Sequence, residues 1–398
     1  MSPVRVIHAS YVNVPATAAL PPGPIKLTAM EAQWVVVPCC STSCCTRAKT
    51  CRPSTTFSTP SESDADIHRL AGDEKQDVHV LERLLPEVDM GELPTPVLAV
   101  QATRFKGGVA LGVTVHHGVA DGRSLWTFVE AWATACRGET PAATPCFDRS
   151  LVKLPGGQEL ARSFLRKYAP NLPKAAYPAP LLEDSARLTR RMFTVDARGI
   201  QRLKERIVRL GESSGAAPPR PPSTFIAVVA LAWTCFARCK PFASDDDVMV
   251  GFLADARHRL DPPVDAGYFG ACLTGCIASL PARELRDEHA LAAAARAVQE
   301  EVRKKTEDPM AGCDFLAPAF KIAMERLMNV SGSSSFRAYE LADFGWGRPR
   351  RTENTRMIRD GQVALMRGRD GQGVQVSVSL LEPAQMVEFK SQLLELVG

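Results

Sequence analysis

"LGVTVHHGVADG", residues 111–122, runs an apolar stretch into two histidines and sets an aspartate four places after the second, with a glycine at each end of the gap. The apolar part reads as a buried strand. The next segment, "RSLWTFVEAWATACRG" (123–138), places Leu125, Trp126, Phe128, Val129, Trp132, Ala133 and Cys136 at helical spacing, with Gly138 as the stop. The stretch is therefore a strand-to-helix turn with histidine at its corner. Histidine is the side chain whose ordinary pKa lies nearest neutrality, so His117 is a candidate general base projecting from a rigid element. Asp121 either orients a ring nitrogen or caps the helix with its carboxylate. Gly118 and Gly122 permit a tight turn and leave room for a ligand. The plainer alternative is a core histidine with a structural partner. A metal site of His116, His117 and Asp121 is disfavoured, because neighbouring residues on a strand face opposite ways.

Working outward, "PVLAVQATRF" (96–105) and "VALGVTVHH" (109–117) read as two strands joined at Lys106-Gly107-Gly108. Upstream, "IKLTAMEAQWVVVP" (25–38) reads as a short turn or helix entering a strand at Trp34–Val37. Residues 139–187 are rich in Pro and Ala and read as a long crossing segment. Beyond it come a strand and an amphipathic helix in "TRRMFTVDARGIQRLKERIV" (189–208), with Asp196 as N-cap, and a largely apolar helix from Ser223 or Thr224. Strand character returns at 246–260 and 268–280, then a helix at 287–305. A hairpin turning at Asp370-Gly371 and a helix opened by Pro383 close the chain. Strands and helices alternate throughout, so the fold class is α/β or mixed α+β.

At 398 residues two domains are expected, 1–165 and 166–398, with 45% apolar and 23% charged residues. A net charge of +4, spread along the chain, gives no footprint for nucleic acid. No apolar run reaches the ~18 residues of a membrane span, and no secretory signal is legible at the N-terminus. A cytosolic monomer acting on small molecules is the expectation.

Five of the twelve cysteines (Cys39, Cys40, Cys44, Cys45 and Cys51) crowd into "CCSTSCCTRAKTC" (39–51). Their spacing does not match paired C-x-x-C ligands and no histidine stands nearby, so a zinc knuckle is not expected. Residues 39–66, made of Ser, Thr, Cys and Pro with little apolar periodicity, read as disordered. No metal and no prosthetic group is expected anywhere in the chain.

"HHGVADG" holds an H-x-x-x-D pattern and "DFGWG" stands far downstream at 343–347. Together they resemble the BAHD acyl-CoA-dependent acyltransferases of plant specialised metabolism. "LTAMEAQWVVVP", "STFIAVVALAWTC", "DARHRLDPP", "YFGAC" and "FGWGRPRRTE" also resemble family segments, over roughly residues 25–38 and 66–398. The resemblance implies two chloramphenicol-acetyltransferase-like domains with the active-site channel at their interface. It implies acyl-CoA as co-substrate, a small phenolic acceptor, and His117 as the base. No acyl-enzyme is then required, so no cysteine has to be a nucleophile.

By the same resemblance, Asp121 is architectural and pairs with Arg257 or Arg259 of the "DARHR" segment. Asp343, Gly345 and Gly347 shape a loop, and the indole N–H of Trp346 is an oxyanion donor or simply packs. "YFGAC" is similar to the YFGNC signature of the branch acting on anthocyanin, flavonoid and phenolic glycosides, with Ala271 in place of Asn. Tyr268 and Arg190 are substrate-binding candidates, Arg190 for the free carboxylate of a malonyl donor. Between 39 and 66 the chain departs from the family, whose members carry apolar strands and a helix there. A malonyl-CoA-dependent O-acyltransferase, a hydroxycinnamoyl or other aromatic acyl transferase, and a non-catalytic remnant all stay open.

Overall fold

A computed structural model describes residues 5–6, 26–34, 40–46, 60–72, 77–86, 97–142, 145–168, 187–215, 220–265, 267–310 and 324–398. In chain order its first strands are β1 (Arg5–Val6), β2 (Cys40–Thr46), β3 (Pro60–Ser63), β4 (Leu98–Phe105) and β5 (Gly108–Val115). The later ones are β6 (Thr189–Val195), β7 (Asp247–Asp255), β8 (Leu273–Pro281), β9 (Leu327–Gly332), β10 (Arg351–Asn354), β11 (Gln362–Arg367) and β12 (Val374–Leu380). Among the described residues they form two mixed six-stranded sheets, in the orders β1-β3-β4-β5-β2-β10 and β6-β12-β11-β9-β7-β8. The mixed α/β class expected from the sequence is what the chain adopts.

The hairpin β4–β5 closes over Lys106 and Gly107, with Phe105 opposite Gly108 and Gly107 at φ +91°. A positive φ is costly for any side chain and free for glycine, which is why the turn sits there. Both faces of β5 are covered, and all of Leu111–Val115 is buried. Leu125, Trp126, Val129 and Trp132 of the helix Gly122–Cys136 gather with Leu111 and Val113 on one side. Ile67, Leu81, Leu84, Phe105 and Ala110 form a second apolar cluster. In the other sheet the helix Thr224–Cys239 is buried nearly all round, as its apolar sequence demands. The helices Ala197–Ser213, Ala290–Glu307 and Pro383–Val397 add their apolar stripes to the same core.

Two expectations are corrected here. Residues 39–66 do not read through as disorder: Cys40–Thr46 forms β2, paired along its whole length with β5 and on its other edge with β10. Pro60–Ser63 forms β3, parallel to β4. Strand pairing draws on backbone N–H and C=O groups, which Ser, Thr and Cys supply as well as Val does, and no proline interrupts 40–46. Cys39 and residues 47–59 lie outside the described residues, as does Val35–Val37 of the expected Trp34–Val37 strand; Trp34 itself stands in a turn.

Nor does one cut near residue 165 divide the chain. The compact units are 1–178 with 260–272 and 337–356, and 179–259 with 273–336 and 357–398. "YFGAC" and "DFGWG" thus belong to the first unit. β10 pairs with β2 in that unit's sheet, and such pairing between distant segments leaves no trace in local patterning.

Among the described residues no helix is long and apolar enough to cross a membrane.

If β2 is a strand, Thr42→Pro removes a donor from the middle of the sheet, where Thr42 faces Val113 and Asn354. The expected loss is roughly 3 kcal/mol of unfolding free energy in a urea titration; an unchanged midpoint would count against the strand.

Candidate active site

The apolar run of β5 ends at Val115, and the chain turns within four residues. The amides of Val119 and Ala120 donate to the carbonyl of His116 at 2.9 and 3.3 Å. His117 opens this turn rather than ending the strand, and is half-buried. The Gly118 amide donates to Nδ1 of His116 at 3.1 Å, which folds that imidazole back over its own turn. His117 instead lies against Trp34, ring centroids 4.2 Å apart and planes 15° from parallel.

The turn is fixed from below by Asp121, only 1% exposed. Its Oδ1 accepts from the Ser124 amide at 2.9 Å, an N-cap contact that satisfies one of the helix's orphan donors. Its Oδ2 accepts from the Cys272 amide at 3.1 Å. Ser124 makes the same connection a second time: its hydroxyl donates to the Gly270 carbonyl at 3.0 Å and accepts from the Gly270 amide at 3.1 Å. Asp121 thus braces the turn through two backbone amides. Arg257 is buried in the second unit, with Nη1 on Oδ1 of Asp255 at 3.1 Å.

Trp34 is held from behind by a second buried carboxylate. Glu31 closes a capping box with Thr28 at the start of the short helix Ala29–Ala32, and the Trp34 amide donates to the Glu31 carbonyl at 3.0 Å. Oε1 of Glu31 meets Nη2 of Arg149 at 2.9 Å and accepts from the Tyr268 hydroxyl at 3.3 Å. Burial pushes the Glu31 carboxyl above its usual value, against the opposing pull of Arg149 and Thr28. Burial likewise raises the Tyr268 phenol, helped by the Glu31 charge beside it. Arg149 also donates to the Phe269 carbonyl at 2.8 Å. A Cβ on Gly270 would come within 2.6 Å of Glu31 Oε1 and 2.7 Å of the Tyr268 ring, so only glycine lets this loop approach.

Residues 61–396 match the profile of the Transferase family. The chain belongs to this family, that of the BAHD acyltransferases. It is an acyl-CoA-dependent acyltransferase, moving groups other than aminoacyl groups. It is 30% identical over 330 residues to phenolic glucoside malonyltransferase 2 of Arabidopsis thaliana, covering 79% of this chain and 71% of that protein. To agmatine coumaroyltransferase of the same plant it is 30% identical over 354 residues, covering 85% and 77%. The crystal structure of vinorine synthase superposes with a TM-score of 0.71 at 19% identity, over 99% of this chain and 98% of that one.

Trp346 stands in the loop 343–347. Its loop is fastened to the far end of the helix Gly122–Cys136: Phe344 packs edge-on to Trp132 at 4.7 Å, Trp346 leans on Phe344 at 6.1 Å, and the Arg137 guanidinium donates to the Asp343 carbonyl. At 1.5 Å per residue that end lies roughly 20 Å from the turn that carries His117. Asp343 does shape the loop, accepting from the amides of Gly345 and Gly347 at 2.9 and 3.0 Å, and both glycines hold positive φ, +93° and +92°.

Tyr268 is 2% exposed, with its hydroxyl on Glu31, so it is an internal brace and not a wall against substrate. Arg190 is also 2% exposed, and its Nε and Nη2 converge on the Met357 carbonyl at 3.2 and 2.5 Å. The guanidinium ties β6 to the segment that begins at Met357.

Sequence reasoning missed Trp34, Glu31, Arg149 and Ser124. The T-x-x-E pattern at 28–31 was a legible helix start that pointed to Glu31. Arg149, inside a Pro- and Ala-rich stretch, carried no signal.

Asp121→Ala leaves two buried amides without acceptors and is expected to cost roughly 2–4 kcal/mol in urea denaturation, Asp121→Asn about half of that. Arg190→Met is expected to lower stability by about 1–3 kcal/mol. In a one-pot competition it should leave the choice between malonyl- and acetyl-CoA unchanged; a switch of donor would restore the carboxylate-binding role.

Proposed function

We propose that this acyltransferase moves a malonyl group from malonyl-CoA to a sugar hydroxyl of a phenolic, flavonoid or anthocyanin glycoside, with His117 as the general base. The observation that carries the reading is the seat of His117. It opens a tight turn anchored by two backbone bonds to Asp121, is half-buried, and is supported on one face by an aromatic ring. Such a side chain is held in place yet has its nitrogens at the ring edge for proton transfer.

The chemistry is direct. An imidazole nitrogen of His117 takes the proton of the acceptor hydroxyl as that oxygen bonds to the thioester carbonyl carbon. Collapse of the tetrahedral adduct breaks the C–S bond, and the imidazolium returns its proton to the departing thiolate, so ester and free coenzyme A leave with the base regenerated. Binding both reactants in one site supplies much of the acceleration through orientation.

The donor and acceptor rest on the name of the phenolic glucoside malonyltransferase relative. The agmatine coumaroyltransferase relative, matched at the same identity over more of both chains, favours an aromatic donor as the second reading.

Malonyl-CoA and 4-coumaroyl-CoA offered together, with a phenolic glucoside and with agmatine, separate the two by mass spectrometry of the products. Malonylated glucoside is expected to dominate, and coumaroylated amine as main product would replace the reading. His117→Ala is expected to lower kcat about 10²–10⁴-fold with the fold intact by circular dichroism; near-normal turnover would remove His117 as base.

A further inference from the structure

We propose that Trp34 is a positioning residue for the base: its indole face sets the plane of the His117 imidazole and stabilises the imidazolium that the ring becomes during transfer. This rests on His117 being the base.

The two rings are nearly parallel at a centroid distance of 4.2 Å. An indole face carries negative electrostatic potential and attracts a cation within about 6 Å of its centroid, Trp most strongly of the aromatic residues. A neutral imidazole gains little from that field and an imidazolium gains more. The contact therefore strengthens as the proton arrives, which is when stabilisation lowers a barrier rather than merely deepening the ground state. Stacking also takes the face of the imidazole and leaves the nitrogens, at its edge, to carry the proton.

For this the indole must not yield, and it is built in firmly. Trp34 is 4% exposed, its amide is on the Glu31 carbonyl, and Glu31 is locked by Thr28, Arg149 and Tyr268. The other titratable groups around the turn have described commitments elsewhere. Nδ1 of His116 accepts from Gly118, the Asp121 oxygens accept from Ser124 and Cys272, and the Glu31 carboxylate points to Arg149. Trp34 meets a face of the His117 ring, and the Glu31 carbonyl anchors its amide.

Trp34→Leu and Trp34→Phe, alongside His117→Ala, are compared with the unaltered enzyme by acceptor-dependent coenzyme A release from malonyl-CoA and from 4-coumaroyl-CoA, with a phenolic glucoside and agmatine as acceptors, using whichever pair turns over. Thermal melts control for folding. Leu is expected to lower kcat ~10-fold, with KM within about twofold. It should also shift the acid limb of the kcat/KM profile down by about half a pH unit, because losing the π face disfavours the imidazolium. Phe, which keeps an aromatic face, should recover most of both.

Equal losses in Leu and Phe with an unmoved acid limb would mean packing alone, and unchanged kcat in Leu no role at all; either overturns the proposal. Should the Leu protein not fold, Trp34→Met, whose unbranched chain adapts to the space without an aromatic face, is judged by the same criteria. Persistent turnover in His117→Ala would overturn the general-base assignment itself and this inference with it. An inactive His117→Ala beside a normal Trp34→Leu would overturn this inference alone.

Discussion

The carboxylate of Asp121 joins the turn and the helix on either side of it to a third piece of chain 151 residues away. One oxygen caps the helix that begins at Gly122, and the other holds the amide of Cys272. The residue itself closes the turn that starts at His117. Because the group is buried, both bonds operate in a medium where leaving the amides unmet would be expensive. The strand, the helix and the 267–272 loop are therefore constrained to one arrangement, and the imidazole of residue 117 inherits its place from it. Ser124, clasping Gly270 in both directions, repeats the constraint one turn further along.

Glu31 forms a second buried junction beside the first. Its carboxylate draws Thr28, Arg149 and Tyr268 to one point, in a site where burial alone disfavours a charge. Replacing buried ion pairs with apolar residues often leaves stability unchanged or raised, so a pair of this kind is weak evidence for a stabilising role. What it does supply is direction. The bonds of Glu31 leave the 26–34 segment one way to lie, and Trp34 is carried by that segment onto the face of His117. One carboxylate thus fixes the backbone that bears the ring, and the other the segment that carries its stacking partner.

The "DFGWG" loop illustrates a different use of recognisable sequence. Its aspartate serves its own glycines, and its aromatic residues extend a stack that begins at Trp132. Arg137, just past the end of the helix, ties the loop down. The helix that starts just after the His117 turn thus ends on this loop, so the motif fixes the far end of that helix.

The hairpin, the turn at 116–121, the helix after it, the Asp196 and Ser223 caps and the closing hairpin and helix were legible from residue order alone. Each depends on contacts within a few positions: apolar spacing, a capping side chain, a glycine where φ must be positive. β2 was not legible. "CSTSCCT" has no apolar alternation, and only the edges offered by β5 and β10 make it a strand. The same limit explains why the burial of Tyr268 and Arg190 left no trace in residue order, and the return of 260–272 and 337–356 to the first unit. Sequence by itself determined the class of fold, the family and the strand-to-helix turn that carries His117. Which carboxylate braces it, which ring supports it and where the second half of its loop comes from were decided by tertiary structure. Burial and pairing between distant segments arise only when the chain has closed on itself.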